Sequence, residues 1–207
     1  MNDEVKNPGL EQAWEKLLEL EPAEVCRRAG VSYDSYKGLY LLDSFGINFS
    51  VNPGKKEILP ADTTSREAQS LLGRLSYFFK HSVQWYLVKA DDFPLTGRLV
   101  KPSGLKGAGS FFMGSHAIPL PALAAKYTNT PGSLGRLGLS LGGSPAQYAD
   151  EAVEIRPLPR IPVTLLLWHG DEEFPARADL LFDSSVELQL PLDIIWCVAM
   201  MSVLIFL

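Results

Sequence analysis

Residues Ile161–Asp183 read IPVTLLLWHGDEEFPARADLLFD. An apolar run closes at His169 and Gly170, three acids follow at Asp171, Glu172 and Glu173, and apolar character resumes in ADLLFD. A short continuous apolar run bounded by turn residues reads as a buried strand, and ADLLFD as a second extended segment. The turn between them raises the functional question, because side chains converge where a strand ends. His169, Asp171 and Glu172 offer imidazole and carboxylate groups suited to iron, manganese or zinc. Glu173, if Trp168, Phe174 and Phe182 gave it an apolar pocket, would suit proton transfer. The structural alternative is that Gly170 makes the turn, one acid accepts backbone hydrogen bonds, one pairs with Arg177 or Arg160, and the rest face water. All three readings stay open at this point.

Working outward from that edge, LYLLD, INFSV and KEIL between Gly38 and Leu59 are short apolar runs separated by turn residues, the pattern of an antiparallel meander. Leu10, Trp14, Leu17, Leu18 and Val25 recur at helical spacing, with Pro22 able to open a second helix and Gly30 to end it. Thr64 or Ser65 can cap a helix running to about Lys80, with Leu71, Leu72, Leu75, Phe78 and Phe79 inward. VQWYLVKA then reads as a strand and IPLPALAAKYTN as one short helix. Nine of the 17 glycines fall between Gly104 and Gly143. That density suits either a loop-rich ligand wall, in which Gly107, Gly109, Gly114 and Ser115 would approach a ligand, or a long irregular connection. The expected fold is a single α+β domain over residues 1–207: N-terminal helices, an antiparallel sheet, a glycine-rich loop region and a C-terminal core helix.

That last helix is DIIWCVAMMSVLIFL, Asp193–Leu207. From Ile194 onward it would cover roughly 21 Å as a helix, short of the roughly 30 Å hydrocarbon core, which argues against a membrane span. Ile195, Val198, Ala199 and Leu204 are expected to pack on VTLLLW, with outer cover from the N-terminal helices or a partner subunit. The acidic N-terminus lacks the charge pattern of a secretory signal, so the expected location is cytoplasmic. A net charge of −5 argues against nucleic acid. EVCRRAGVSYDSY resembles a helix-turn-helix bend, but its second helix would reach Gly38 within a few residues. GLSLG, Gly138–Gly142, fits a nucleophile-elbow pattern, yet Gly143, Ser144 and Pro145 are poor material for the helix that must follow the serine. Cys26 and Cys197 form no C-x-x-C pair and read as reduced and structural.

FFMGSHAIP (Phe111–Pro119), LPRIPVTLLLWHGDEEFPARADLLFD (Leu158–Asp183) and LPLDIIW (Leu190–Trp196) together carry a resemblance. From about Val31 to the C-terminus the chain resembles the bacterial and archaeal family called domain of unknown function 3786, found largely in anaerobes. Some relatives carry a four-cysteine iron–sulfur module, which implies work near a redox or one-carbon cofactor. This chain has no such module, so a cluster would belong to an iron–sulfur protein partner. The leading expectation is a small-molecule or cofactor ligand, of unknown identity, bound between the glycine-rich loop and the WHGDEEF turn by an accessory protein. The alternatives are an enzyme using His116 and an acid of that turn, Glu173 foremost, and an interaction module for an iron–sulfur protein.

Overall fold

The computed structural model describes residues 8–207. Two short helices come first, α1 (Pro8–Glu19) and α2 (Pro22–Ala29), and Gly30 ends the second at φ 65°, its N–H on the Cys26 carbonyl. A four-stranded meander follows: β1 (Ser32–Asp34), β2 (Leu39–Ser44), β3 (Ile47–Asn52) and β4 (Glu57–Pro60), each antiparallel to the next. Tyr40, Leu42 and Ser44 point inward from β2 while Leu41 and Asp43 face out, the alternation of a sheet wet on one side. Strand β1 takes up residues that a helix-turn-helix would need as its second helix.

Helix α3 (Arg66–Leu72) is capped by Ser65, whose Oγ accepts from Ala68 N at 3.1 Å. It stops at Gly73, where a Cβ would lie 2.8 Å from the Gln69 carbonyl oxygen. A new helix, α4 (Ser76–Lys89), then runs straight through VQWYLVKA. This corrects two expectations: the single helix to Lys80 is two helices, and the expected strand is helical. Val83, Trp85, Tyr86 and Val88 favour strand locally, but Phe79, Val83, Tyr86 and Leu87 are buried together only on a helix. With His81, Ser82 and Gln84 buried as well, no polar face marks the period.

The second sheet has the order β5 (Leu99–Val100), β9 (Arg177–Asp183), β8 (Ile161–Trp168), β7 (Glu151–Leu158), β6 (Ser144–Pro145), again all antiparallel. Strand β8 is buried along nearly its whole length, as its apolar run demands. The glycine-rich stretch folds into 3-10 turns at Pro102–Gly104 and Gly114–His116 and two helices, α5 (Leu120–Tyr127) and α6 (Ser133–Ser140). Ser140 ends α6 with its hydroxyl on the Leu137 carbonyl, so it sits on no strand-to-helix elbow. Gly138 is there for packing: a Cβ would lie 2.4 Å from Val153 Cγ2 on β7.

After α7 (Val186–Gln189), Pro191 introduces the terminal helix α8 (Leu192–Leu204). Ile195, Val198 and Ala199 are buried and Leu204 half-buried, but the helix packs mainly on α4, with β7 beyond. Its outer cover comes from α4, with Trp196 edge-on to Phe78 at 5.4 Å, and Arg74 Nη2 donates to the Leu204 carbonyl at its end. Among the described residues no helix is long and apolar enough to cross a membrane.

The two sheets meet at a bulge in β7, where the pairing with β8 skips between Ile155 and Leu158. The bulge frees the carbonyls of Arg156 and Pro157 for the tip of the β2–β3 hairpin: Phe45 N donates to Arg156 O at 2.9 Å and Ser44 Oγ to Pro157 O at 2.7 Å. At the same point Gly46 and Gly142, each at φ 69°, pass so closely that a Cβ on Gly142 would sit 2.9 Å from Gly46 Cα. Gly142→Ala therefore combines left-handed strain with backbone overlap and should cost about 2–4 kcal/mol. Its thermal midpoint should fall by roughly 5–15 °C. Gly107→Ala has the same strain (φ 76°) but open space around the new methyl, and should lose no more than about 4 °C. Equal losses in the two melting curves would remove the close approach as the cause.

Candidate functional site

The edge after β8 is held from three directions. His169 N donates to Asp150 Oδ2 at 2.9 Å, its Nδ1 lies 3.0 Å from the Thr128 carbonyl at the end of α5, and its Nε2 lies 3.0 Å from Glu151 Oε1. A carbonyl oxygen thus faces one ring nitrogen and a carboxylate oxygen the other. Glu151 also accepts from Gly132 N at 2.6 Å and Gly135 N at 3.3 Å, where a carboxylate complements the N-terminus of α6. Gly170 N completes the join by donating to Thr128 Oγ1 at 3.2 Å. The imidazole thus ties β8, β7, α5 and α6 together with both nitrogens engaged.

The acids beyond it form a solvent-facing turn. Asp171 Oδ1 accepts from Glu173 N at 2.9 Å and Phe174 N at 2.7 Å, and Asp171 N closes on the Phe174 carbonyl. The bonds from Phe174 and Glu173 hold its carboxyl below the usual aspartate range. Glu172 and Glu173 are exposed, and Phe174 is 67% exposed. Phe182 lies in the core and Trp168 under the Arg177 guanidinium at 4.1 Å, so these rings do not gather around a carboxylate. Arg160 pairs with Asp92 at 2.6 Å rather than with any acid of the turn.

His116 lies in another setting, stacked on Phe111 at 4.7 Å and edge-on to Trp196 of α8 at 4.8 Å. Among the described residues no hydrogen bond or ion pair joins it to Asp171, Glu172 or Glu173, and no three His, Cys, Asp or Glu side chains gather to hold a metal ion. Gly107, Gly109 and Gly114 turn the chain at positive φ with nothing near their α-hydrogens, and Ser115 is exposed. Cys26 and Cys197 are free thiols, and burial pushes Cys197 up to about 12.

Among the described residues two clefts lie elsewhere, and none of the candidate catalytic, metal or ligand-binding residues weighed above lines either one. The smaller, about 390 Å³, opens on the second sheet beside Thr164, Glu154 and Asp183. The larger, about 1050 Å³, lies between α1, the β3–β4 hairpin and α4. Trp14 and Ile58 give it apolar walls, Lys55, Lys56 and Lys80 basic ones, and Tyr77 lies at its rim. Gln84 also lines it: the residue is 1% exposed, and its Oε1 has no hydrogen-bond partner among the described residues. Tyr77, Lys80 and Gln84 are spaced i, i+3, i+7, one face of α4. Sequence reading missed that face because the strand assigned to VQWYLVKA puts Lys80 and Gln84 in different elements.

Asp183, by contrast, is fully used within the chain. Burial alone would raise its carboxyl, but hydrogen bonds from Ser185 and Thr96 outweigh it and bring it down to about 2. Thr96 N, Thr96 Oγ1 and Ser185 N reach Oδ1 at 2.9–3.0 Å, and Gly97 N reaches Oδ2 at 2.7 Å. A depressed pKa contributes stability above the unfolded value of about 4, lost as pH falls toward 2. Asp183→Asn should therefore cost on the order of 2 kcal/mol at pH 6. The gap in melting temperature from wild type should close between about pH 4 and pH 2; a pH-independent gap would contradict this.

No curated protein and no solved structure matches the chain. A family model described as Domain of unknown function (DUF3786) matches residues 21–204, starting at the head of α2 and ending with α8. With nearly the whole fold inside that match, the chain belongs to the DUF3786 family.

Proposed function

We propose that this family member is a cytoplasmic accessory protein that binds a small ligand or cofactor in the cleft between α1, the β3–β4 hairpin and α4. The observation that carries the reading is Gln84. A buried amide oxygen without a hydrogen bond costs about 1–3 kcal/mol, and a residue of leucine shape would avoid that cost. Gln84 nevertheless lines the cleft, and a glutamine retained there at that cost fits a role in the cleft rather than in packing. The size of the cleft suits a small organic molecule, with apolar walls and a few polar groups to orient it. The acidic turn has a different job in this reading: its polar atoms are engaged within the turn or face water. The resemblance to relatives bearing iron–sulfur modules supports a place beside such a protein in anaerobic redox or one-carbon metabolism, with any cluster on the partner.

Gln84→Leu separates a ligand-binding role from a structural one. Removing an unsatisfied polar group should raise the melting temperature by roughly 2–4 °C. Protein purified without oxygen and examined by native mass spectrometry should carry a bound small molecule in the wild type and lose it in the variant. A variant that melts several degrees lower, or retains the molecule, would overturn the reading.

A further inference from the structure

The smaller cleft lies on the second sheet, apart from the one proposed above. We infer that it is a site for a small primary ammonium with a short apolar body. Its floor is a cross-strand row: Glu154 on β7 stands opposite Thr164 on β8, and Ser144 on β6 opposite Glu154. Residues directly opposite share a face, with Cβ atoms roughly 4.5–5.5 Å apart. The alternate residues Val153, Ile155, Val163 and Leu165 are buried in the core, so the row belongs to the outer face. Thr164 is 2% exposed, and its hydroxyl has no hydrogen-bond partner among the described residues. That hydroxyl is not sealed: the little surface it keeps opens on the cleft that Thr164 lines. Valine would serve the strand as well and carry no hydroxyl to satisfy.

Glu154 puts a charge beside that hydroxyl. Its side chain is 33% exposed and is touched only at Oε1, by Arg156 Nη2 at 3.4 Å, which leaves Oε2 free among the described residues. Asp183 lies on the same wall with its oxygens already bonded, so it adds negative field rather than a contact. Among the described residues no lysine or arginine lines the cleft, and no three carboxylate, imidazole or thiolate side chains gather to hold a metal ion. An ammonium suits the arrangement better, because its three N–H groups reach the Glu154 carboxylate and the Thr164 oxygen together. Leu95 and Leu99 give the apolar body a wall, and Tyr148, 60% exposed, gives it an aromatic face. At about 390 Å³ the space is at the small end of ligand pockets, which fits one ring or a short alkyl chain.

Two probes of the same shape test the site, 2-phenylethylamine, a cation at neutral pH, and 2-phenylethanol, which is uncharged. In isothermal titration calorimetry on the full chain, the amine should bind about tenfold more tightly than the alcohol. Glu154→Gln should remove that preference and leave the alcohol unchanged. Thr164→Val should weaken the amine about three- to tenfold while its melting temperature stays at or above that of wild type, because the hydroxyl has no partner within the fold. Gln84→Leu, in the other cleft, should leave amine binding as it is, so this site and the role proposed above fail separately. Equal affinity for the two probes would overturn the ammonium class. No amine binding up to about 10 mM, or binding untouched by Glu154→Gln and Thr164→Val, would overturn the site itself. So would a lower melting temperature in Thr164→Val, which would make the hydroxyl structural, or loss of the amine in Gln84→Leu, which would put the probe in the larger cleft.

Discussion

A helix with almost no polar face must be wrapped on every side, and α4 is that helix. Phe79 meets Phe49 of the first sheet at 4.8 Å, Phe78 meets Trp196 of α8, and α1 and α3 pack against other parts of its surface. Tyr86 extends the reach of α4 further. Its buried hydroxyl donates to the Ala29 carbonyl at 2.6 Å and accepts from Arg160 N at 3.1 Å, so one oxygen joins α2, α4 and the β7–β8 turn. Burial drives that phenol well above its ordinary range and keeps it a neutral donor. The order of the chain around α4 follows: the meander and terminal helix, far apart in sequence, close on the same cylinder.

That demand also sets what could be read from the sequence. The meander, the β8–β9 pair, the N-terminal helices and the terminal helix were legible because each shows a period or a boundary residue. Tyr40, Leu42 and Ser44 alternate, Gly30 stops α2, Ser65 caps α3, and Pro191 starts α8. The element at the centre was not. Residues buried all round lose their period, and Val, Trp and Tyr then favour strand by local preference, which packing overrode. The bulge in β7 was hidden for another reason: the partner that takes its freed carbonyls lies more than a hundred residues away, at Ser44 and Phe45.

The candidate site divides in the same way. His169 was visible as the end of a strand, but its partners Glu151, Thr128 and Asp150 come from other elements, and only the fold shows that they occupy both nitrogens and the backbone N–H. The acids beside it drew notice as a charge run, and such runs are usually solvated. Here Asp171 closes its own turn. Their conspicuousness in the sequence came from exposure, since a turn between buried strands is where charge can be tolerated. Gln84 was inconspicuous for the opposite reason, being a single polar residue within an apolar helix.

Polar atoms in this protein therefore separate by whether the chain satisfies them. Asp183, 4% exposed, collects four hydrogen bonds, and Glu151 collects a helix end and an imidazole. Such groups are costly to bury and are retained because the fold supplies partners. Ser82 and Ser202 are buried without a partner, but each is a small hydroxyl on the packed α4 and α8 helices, with no opening beside it in either cleft. Gln84 differs from both groups: it is as buried as Asp183, its oxygen is as unsatisfied as those of the serines, and it lies on the wall of the larger of the two clefts described. A buried, unsatisfied glutamine on a cleft wall is the one such side chain whose cost packing alone leaves unexplained. That places the weight of the binding hypothesis on α4, the helix on which the folding of the chain also depends.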